Sequence, residues 1–491
     1  MNGEFKSKLL RGSTFSMAGT VLMLAVHFLS MKILAERMPV EEFGLFVIVQ
    51  VISQGLVVVS GMGMALTLVK NISGDADRSQ QDEIVTSVVL VRSLLLVLLT
   101  ILVASVGGPV LAYLFGADLA EFVLFLPAMF GLAIFRETLF NILQGRQQFH
   151  WYAGTKVLSA LTRLWAIIWL SHIGRLEVHE LVWVEIITSA ITVMLLICVS
   201  RFTSFFRIRT LRRLTLKQVI GFSVPLFLDD LFSYAYECVA VLLLGALMAP
   251  SSVALYAIAM KLPEAATRVL MSLVVVFFPS MSELMDAGRH DEGKRLMNLS
   301  LVAFSVGLSF IAITTFFFKE EVILVLFSEQ YLVAATALAL LMLNFVVTCL
   351  NRLMSSTAVA AGQSTVPLRV NVTISVVNVI ACLALVPKLG IVGAALAQIV
   401  GNSSGQVLYL YLLKKIHLPV DAIEVGKPIG FGLLTVILYE LVGYDEYWMR
   451  VSAIILYVVV CLVFVPHLAR CIGQARSHWS TNNSQPSSTT S

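Results

Sequence analysis

Runs of roughly 20 apolar residues recur along this chain, and as a helix a run of that length crosses about 30 Å of hydrocarbon with every backbone N–H and C=O bonded internally. About fourteen such runs can be placed, centred near Leu24, Val51, Leu96, Phe130, Leu161, Ile191, Val239, Val269, Phe310, Leu341, Ile380, Ala397, Leu434 and Val459. Polar turns separate them, several marked by Gly or Pro: Met38-Pro39, Gly107-Gly108-Pro109, Ala249-Pro250 and Pro387-Lys388-Leu389-Gly390. Composition excludes a soluble reading. Residues are 58% hydrophobic and only 13% charged, with a mean hydropathy of +0.90, against about one quarter charged in soluble proteins. The expected fold class is all-α integral membrane. Six cysteines lie scattered, at spacings that suggest neither a disulfide framework nor a zinc site. The first run, 13–35, exceeds a signal-peptide core and leads straight into a second span, so it reads as retained.

The segment 201–217 carries Arg201, Arg207, Arg209, Arg212, Arg213 and Lys217 with no acid. A basic cluster can bind nucleic acid, but one flanked by spans reads better as a cytoplasmic loop held at anionic lipid. Alternating the loops puts it on one side with Lys6, Lys8, Arg11, Arg289, Lys294, Arg295, Lys414, Lys415 and Lys427. That side holds roughly 20 Lys and Arg against about five opposite, which makes it the cytoplasmic face of the cell (inner) membrane, with both termini expected in the cytoplasm. The same segment divides two similar halves. Laying 34–50 over 244–260 matches Leu34 with Leu244, Met38 with Met248, Leu45 with Leu255 and Ile48 with Ile258, an offset of about 210. Gly145-Arg146-Gln147 echoes Gly362-Gln363-Ser364 at about 217. An even number of spans per repeat makes the repeats parallel, with a substrate site expected between them. The expected organisation is an N-lobe of six helices (1–200), the basic loop (201–217), a C-lobe of six helices (218–416), two further helices (417–470) and a disordered tail (471–491).

The stretch 32–74 opens with an apolar span, then a small turn, then Glu42-Phe43-Gly44-Leu45-Phe46 starting the second span, then Gly61-Met62-Gly63 before a loop. In this it resembles the polysaccharide biosynthesis transporters that flip lipid-linked oligosaccharides. Span count, two six-helix lobes, a basic inter-lobe loop and two extra spans extend the resemblance over nearly the whole chain. It implies a V-shaped bundle that alternates between inward and outward openings. The cargo implied is an undecaprenyl-diphosphate-linked oligosaccharide, moved from the cytoplasmic to the outer leaflet for O-antigen, capsule or exopolysaccharide. The partners implied are the lipid-linked substrate, the bilayer, and the polysaccharide polymerase and chain-length machinery. The same superfamily holds ion-coupled multidrug exporters and the peptidoglycan lipid flippase, which stand as the alternatives.

Ionisable residues inside spans cost about 2.5–3.5 kcal/mol each at a helix centre, so each needs a wet cavity or a partner. The basic set is Arg136, Lys156, Arg163, Lys261, Arg268, Arg352 and Arg369. Lys156 and Arg163 are seven apart, as are Lys261 and Arg268, so each pair shares one helix face. Guanidinium forks suit phosphate oxygens, and the set reads as a cationic, substrate-binding cavity. Against this stands neutralisation of carboxylates between helices, for instance within Lys261, Glu264 and Arg268 at i, i+3 and i+7, or snorkelling of the cations to the surface. The acidic set, Asp229, Asp230 and Glu237, reads either as partners that neutralise the basic set or as a seat for a coupling proton or sodium ion. Lys32 and Glu36 at i, i+4 read as a mutual ion pair. No Walker lysine motif, phosphate-cradling Gly-rich loop or nucleophile elbow stands in the sequence, so neither catalysis nor a cofactor is expected.

Overall fold

The computed structural model describes residues 22–73, 78–174, 176–200, 213–442 and 447–464; most of the basic segment, 201–212, and the C-terminal tail lie outside these. The described residues form helices and no strand. In chain order they are α1 (22–37), α2 (Val40–Gly61), α3 (Met64–Ser73), α4 (Arg78–Leu102), α5 (Gly108–Phe115), α6 (Ala117–Ala120), α7 (Leu126–Gly145), α8 (Phe149–Ile173), α9 (Val178–Ser200), α10 (Arg213–Leu247), α11 (Pro250–Asp286), α12 (His290–Phe317), α13 (Lys319–Leu326), α14 (Ala335–Ala360), α15 (Thr365–Lys415), α16 (Ala422–Val442) and α17 (Tyr447–Phe464).

Ten helices among the described residues are long and apolar enough to cross a membrane. The difference from fourteen has identifiable sources. The first span is described only from residue 22, and α8 and α11 fall outside the ten. The two runs near Ile380 and Ala397 join in the 51-residue α15. That helix breaks where the sequence marks a turn, at Gly390 (φ 57°, ψ −131°). Here the backbone enters a region that only glycine occupies easily, and a Cβ would meet the Met248 sulfur at 3.3 Å. Gly107-Gly108-Pro109, expected as a turn, stays helical. A π-turn at Val103–Gly107 passes directly into α5, which carries Pro109 in its first turn. The chain turns instead at Gly116 (φ 93°). Large apolar side chains stay exposed on many helices, among them Val97, Ile101, Trp165, Ile187 and Met194, as a lipid-facing surface requires.

The helices pack as two compact units. The first comprises Met1–Lys261, Ile323–Ala335 and Ser375–Ala397; the second comprises Leu262–Val322, Thr336–Ile374 and Gln398–Ser491. Packing therefore does not divide the chain at the basic segment, and the reason lies in the glycines of the first helices. A Cβ on Gly44 would meet the Pro250 carbonyl oxygen at 1.8 Å, so α2 and the start of α11 cross with backbones in contact. Gly55 lies under the Tyr234 ring, whose hydroxyl donates to Val51 O at 2.9 Å. Gly63, in a left-handed turn with Met62, admits the α10 backbone at Ser223 and Phe227. Thr67 and Ser223 hydroxyls bond there at 2.8 Å. Segment 323–335 joins this unit by capping α1. The last carbonyls of a helix lack intrahelical donors, and Ser328 and Gln330 donate to Ala35 O while Lys32 Nζ donates to Val325 O at 2.9 Å. The expected Lys32–Glu36 pair is present at 3.8 Å.

Inside the second unit, amide side chains hold α14 to the latter half of α15. Asn344 donates to Gln398 at 3.0 Å, and Asn402 donates to Asn344 at 2.8 Å and to Thr348 at 3.0 Å. Asn351 donates to Asn402 O at 2.9 Å. Bonds of this kind between helices in lipid contribute about 0.6–2 kcal/mol each.

The internal repeat has a structural counterpart. α2 and α11 begin at Val40 and Pro250, 210 residues apart, and each follows the same bond, Met38 N to Leu34 O and Met248 N to Leu244 O. The second echo needs a shift. Gln147 (φ 57°) and Gly362 (φ 75°), 215 residues apart, occupy the same left-handed helix-end turn, with 148 N bonded to 143 O and 363 N to 358 O. On that register Arg352 matches Glu137.

Candidate functional site

In the first unit, three helices bring charge together at mid-span. Arg92 of α4 is 2% exposed. Its guanidinium donates to Thr138 Oγ1 at 2.7 Å, to Glu137 Oε1 at 3.3 Å and to Gly61 O at 3.4 Å. It thereby ties α2, α4 and α7. Asp230 of α10 is exposed and lies within electrostatic reach of Arg92, Glu137 and Asp229. Asp229 is half-buried and Glu237, two turns along the helix, is exposed. The crevice beside Arg92, lined by Ser93, Leu96, Phe135 and Thr138, holds about 10 Å³. That is room for one water at most, so this arginine is a structural tie.

A second polar group joins α2, α7, α8 and α9. Arg163 Nε donates to Glu185 Oε1 at 2.5 Å, and Gln50 Nε2 reaches the same oxygen at 3.3 Å. One turn along α9, Ser189 Oγ accepts from Arg136 at 2.9 Å. Lys156, two turns from Arg163 on α8, is half-buried. Its ammonium donates to the Tyr152 hydroxyl at 2.6 Å and lies over the Tyr152 and Phe140 rings at 4.2 and 5.4 Å, a cation–π setting. Lys261 is half-buried on α11 at the edge of this unit.

The second unit differs. Arg268 (α11), Arg352 (α14) and Arg369 (α15) are all exposed, and none has an ion-pair partner among the described residues. Thr267 and Cys349 are within hydrogen-bonding reach and Arg352 lies near Cys349, so α11 and α14 meet at the level of the first two arginines. Arg369 has no such link to them. Charged groups held unpaired in apolar helices are costly unless they reach water, the membrane interface or a partner.

Two residues of these groups escape a reading of the sequence as sets of spans: Arg92 and Glu185. Each stands alone in an apolar run, Arg92 in VVLVRSLLLV and Glu185 in LVWVEIITSAI, which is the signal that marks them.

Over residues 9–285 the chain matches the family described as polysaccharide biosynthesis protein. It is similar to the probable flippase AglR of Haloferax volcanii, 23% identical over 239 residues, which are 48% of this chain and 50% of that one. The chain thus spans about half the length of that curated relative. Among solved structures it resembles a lipid II flippase MurJ in an inward closed conformation, with a TM-score of 0.72 at 16% identity over 92% of this chain and 99% of the other. It also resembles an inward-facing multidrug resistance MATE family transporter of the MOP superfamily, with a TM-score of 0.65 at 15% identity over 82% and 98%. At such identities the likeness is one of fold.

Proposed function

Because the chain belongs to the polysaccharide biosynthesis protein family and is a multi-pass membrane protein of MurJ and MATE-like fold, we propose that it is a flippase for lipid-linked oligosaccharides. The cargo is a sugar unit on a polyprenyl diphosphate, undecaprenyl diphosphate in the bacterial case, carried from the cytoplasmic to the outer leaflet of the cell membrane. The observation that carries this reading is the exposed trio Arg268, Arg352 and Arg369, unpaired within apolar helices. A polar head group cannot cross hydrocarbon unaided, while its polyprenyl tail is at home there. Helices that offer guanidinium to the diphosphate and leave the tail in lipid solve that problem. In the first unit, Arg136, Lys156, Arg163 and Lys261 are the further cations offered to phosphate oxygens. With the cell interior negative, each net negative charge moved outward gains about 2.3 kcal/mol per 100 mV, and alternation of two six-helix lobes carries it across. Asp229, Asp230 and Glu237 are the seats for a coupling cation. Both termini lie in the cytoplasm, where the loop charges place them.

One observation favours a second reading. Asp230 and Glu237 stand exposed on α10, as an exporter of cationic drugs requires. Deleting the gene separates the two. The flippase reading expects loss of surface polysaccharide with lipid-linked units accumulating in the membrane, and unchanged drug sensitivity. Hypersensitivity to cationic drugs with intact polysaccharide supports the exporter instead. Lethality, with accumulated lipid II, points to the peptidoglycan precursor as cargo.

A further inference from the structure

Glu185 stands where four helices of the first unit meet, and its bonds are unequal to the charge around it. One carboxylate faces two guanidiniums. Arg163 is bonded to it directly at 2.5 Å; Arg136, held one turn away by Ser189 at 2.9 Å, lies within electrostatic reach of both Glu185 and Arg163. Glu137, the neighbour of Arg136, is already engaged by Arg92. Glu185 is thus the one carboxylate bonded to Arg163 or Arg136 among the described residues, and it also accepts from the Gln50 amide, while Arg136 makes its direct bond to a hydroxyl and lies within electrostatic reach of Glu137.

Nor is it sealed. Arg163 and Glu185 are each 18% exposed, whereas Arg92 in the neighbouring tie is 2% exposed and bonded to three groups. A buried ion pair that serves stability alone is best made closed and balanced, because desolvating an unmatched charge costs several kcal/mol. This one is open, and Arg136 beside it has no direct carboxylate bond among the described residues. A carboxylate presents to guanidinium the same kind of anionic oxygen pair that a phosphoryl group presents.

We infer that Glu185 is a resident counter-ion, occupying Arg163 while no cargo is bound and displaced when phosphoryl oxygens engage Arg163 and Arg136. The exchange keeps the arginines compensated in both states and gives the anion a competitor that drives its release. Glu185 so sets how tightly, and for how long, an anionic head group is held. This inference rests on the flippase reading, since it requires a diphosphate cargo.

The test measures binding of undecaprenyl diphosphate, and of uncharged undecaprenol as control, to the full chain in lipid nanodiscs. Glu185→Gln keeps an acceptor oxygen for Arg163 and Gln50 but removes the competing charge. It is expected to bind undecaprenyl diphosphate at least about tenfold tighter and to release it more slowly, with undecaprenol unchanged. Gln50→Glu adds a second carboxylate beside Arg163 and is expected to weaken diphosphate binding by a similar factor. Arg163→Ala loses binding, and adding Glu185→Ala does not restore it. Unchanged or weaker binding by Glu185→Gln, or recovery in the Arg163→Ala/Glu185→Ala double variant, overturns the inference and leaves the pair a structural one. Wild-type protein that fails to prefer the diphosphate over undecaprenol sinks the flippase reading itself, a separate outcome.

Discussion

Gly44→Ala is expected to lower the thermal midpoint of the purified protein sharply and to reduce its folded yield in the membrane. The new methyl group would stand 1.8 Å from the carbonyl oxygen and 2.5 Å from the carbonyl carbon of Pro250. Those are backbone atoms at the start of α11, so no side-chain rotation relieves the clash. The whole helix must move, and overpacking of this kind costs about 3 kcal/mol or more. Gly154→Ala is the control. It lies in the second turn of α8 with nothing within 4 Å of the added carbon, and alanine there is expected to be neutral or stabilising by up to about 1 kcal/mol. Equal midpoints for the two variants would show that α2 and α11 do not cross in contact.

The double variant Arg268→Ala/Arg352→Ala is expected to cut transport by more than tenfold while leaving folded protein near the wild-type level. Both side chains are exposed and neither neutralises a carboxylate among the described residues, so their removal strands no buried charge. Lysine at both positions keeps the charge but loses the bidentate fork, and is expected to fall between the two. Arg92→Ala should behave in the opposite way. It leaves Glu137 without its cation and opens a gap between α4 and α7, a loss of about 3–5 kcal/mol, read as missing protein rather than as inactive protein. Normal polysaccharide export by the double variant at normal abundance would remove the exposed arginines from the mechanism.

Much of the architecture is written in local sequence. Apolar run length fixes the spans, and Met38-Pro39, Ala249-Pro250 and Gly390 mark breaks that the helices obey. The Glu42-Phe43-Gly44-Leu45-Phe46 signature also has a physical cause, since its glycine is where a second helix crosses. What local sequence does not carry is pairing at a distance. Arg163 finds Glu185 across 22 positions and Arg92 finds Glu137 across 45, and nothing in either apolar run names the partner. The same holds for the compact units. Tyr234 reaches back 183 positions to Val51, and contacts like this place α10 with the first helices although the basic segment separates them in sequence. The register of the repeat was legible at the helix starts, where both halves share a Leu and a Met at matching places. It slipped by two residues at the 145–148 and 360–363 turns, where Gln147 takes in left-handed form the place that Gly362 holds in the other half.

The most direct measurement reconstitutes the purified chain in liposomes carrying undecaprenyl-diphosphate oligosaccharide with a fluorophore on the sugar, and adds a membrane-impermeant reductant. In protein-free liposomes only the outer leaflet, about half of the label, is bleached. With the chain present, bleaching is expected to run to near completion, and the Arg268→Ala/Arg352→Ala variant is expected to return it to the protein-free plateau. A plateau at about half with wild-type protein, under an inside-negative potential and with sodium or proton gradients of either sign, would contradict the claim that these helices move a diphosphate-linked head group across the bilayer.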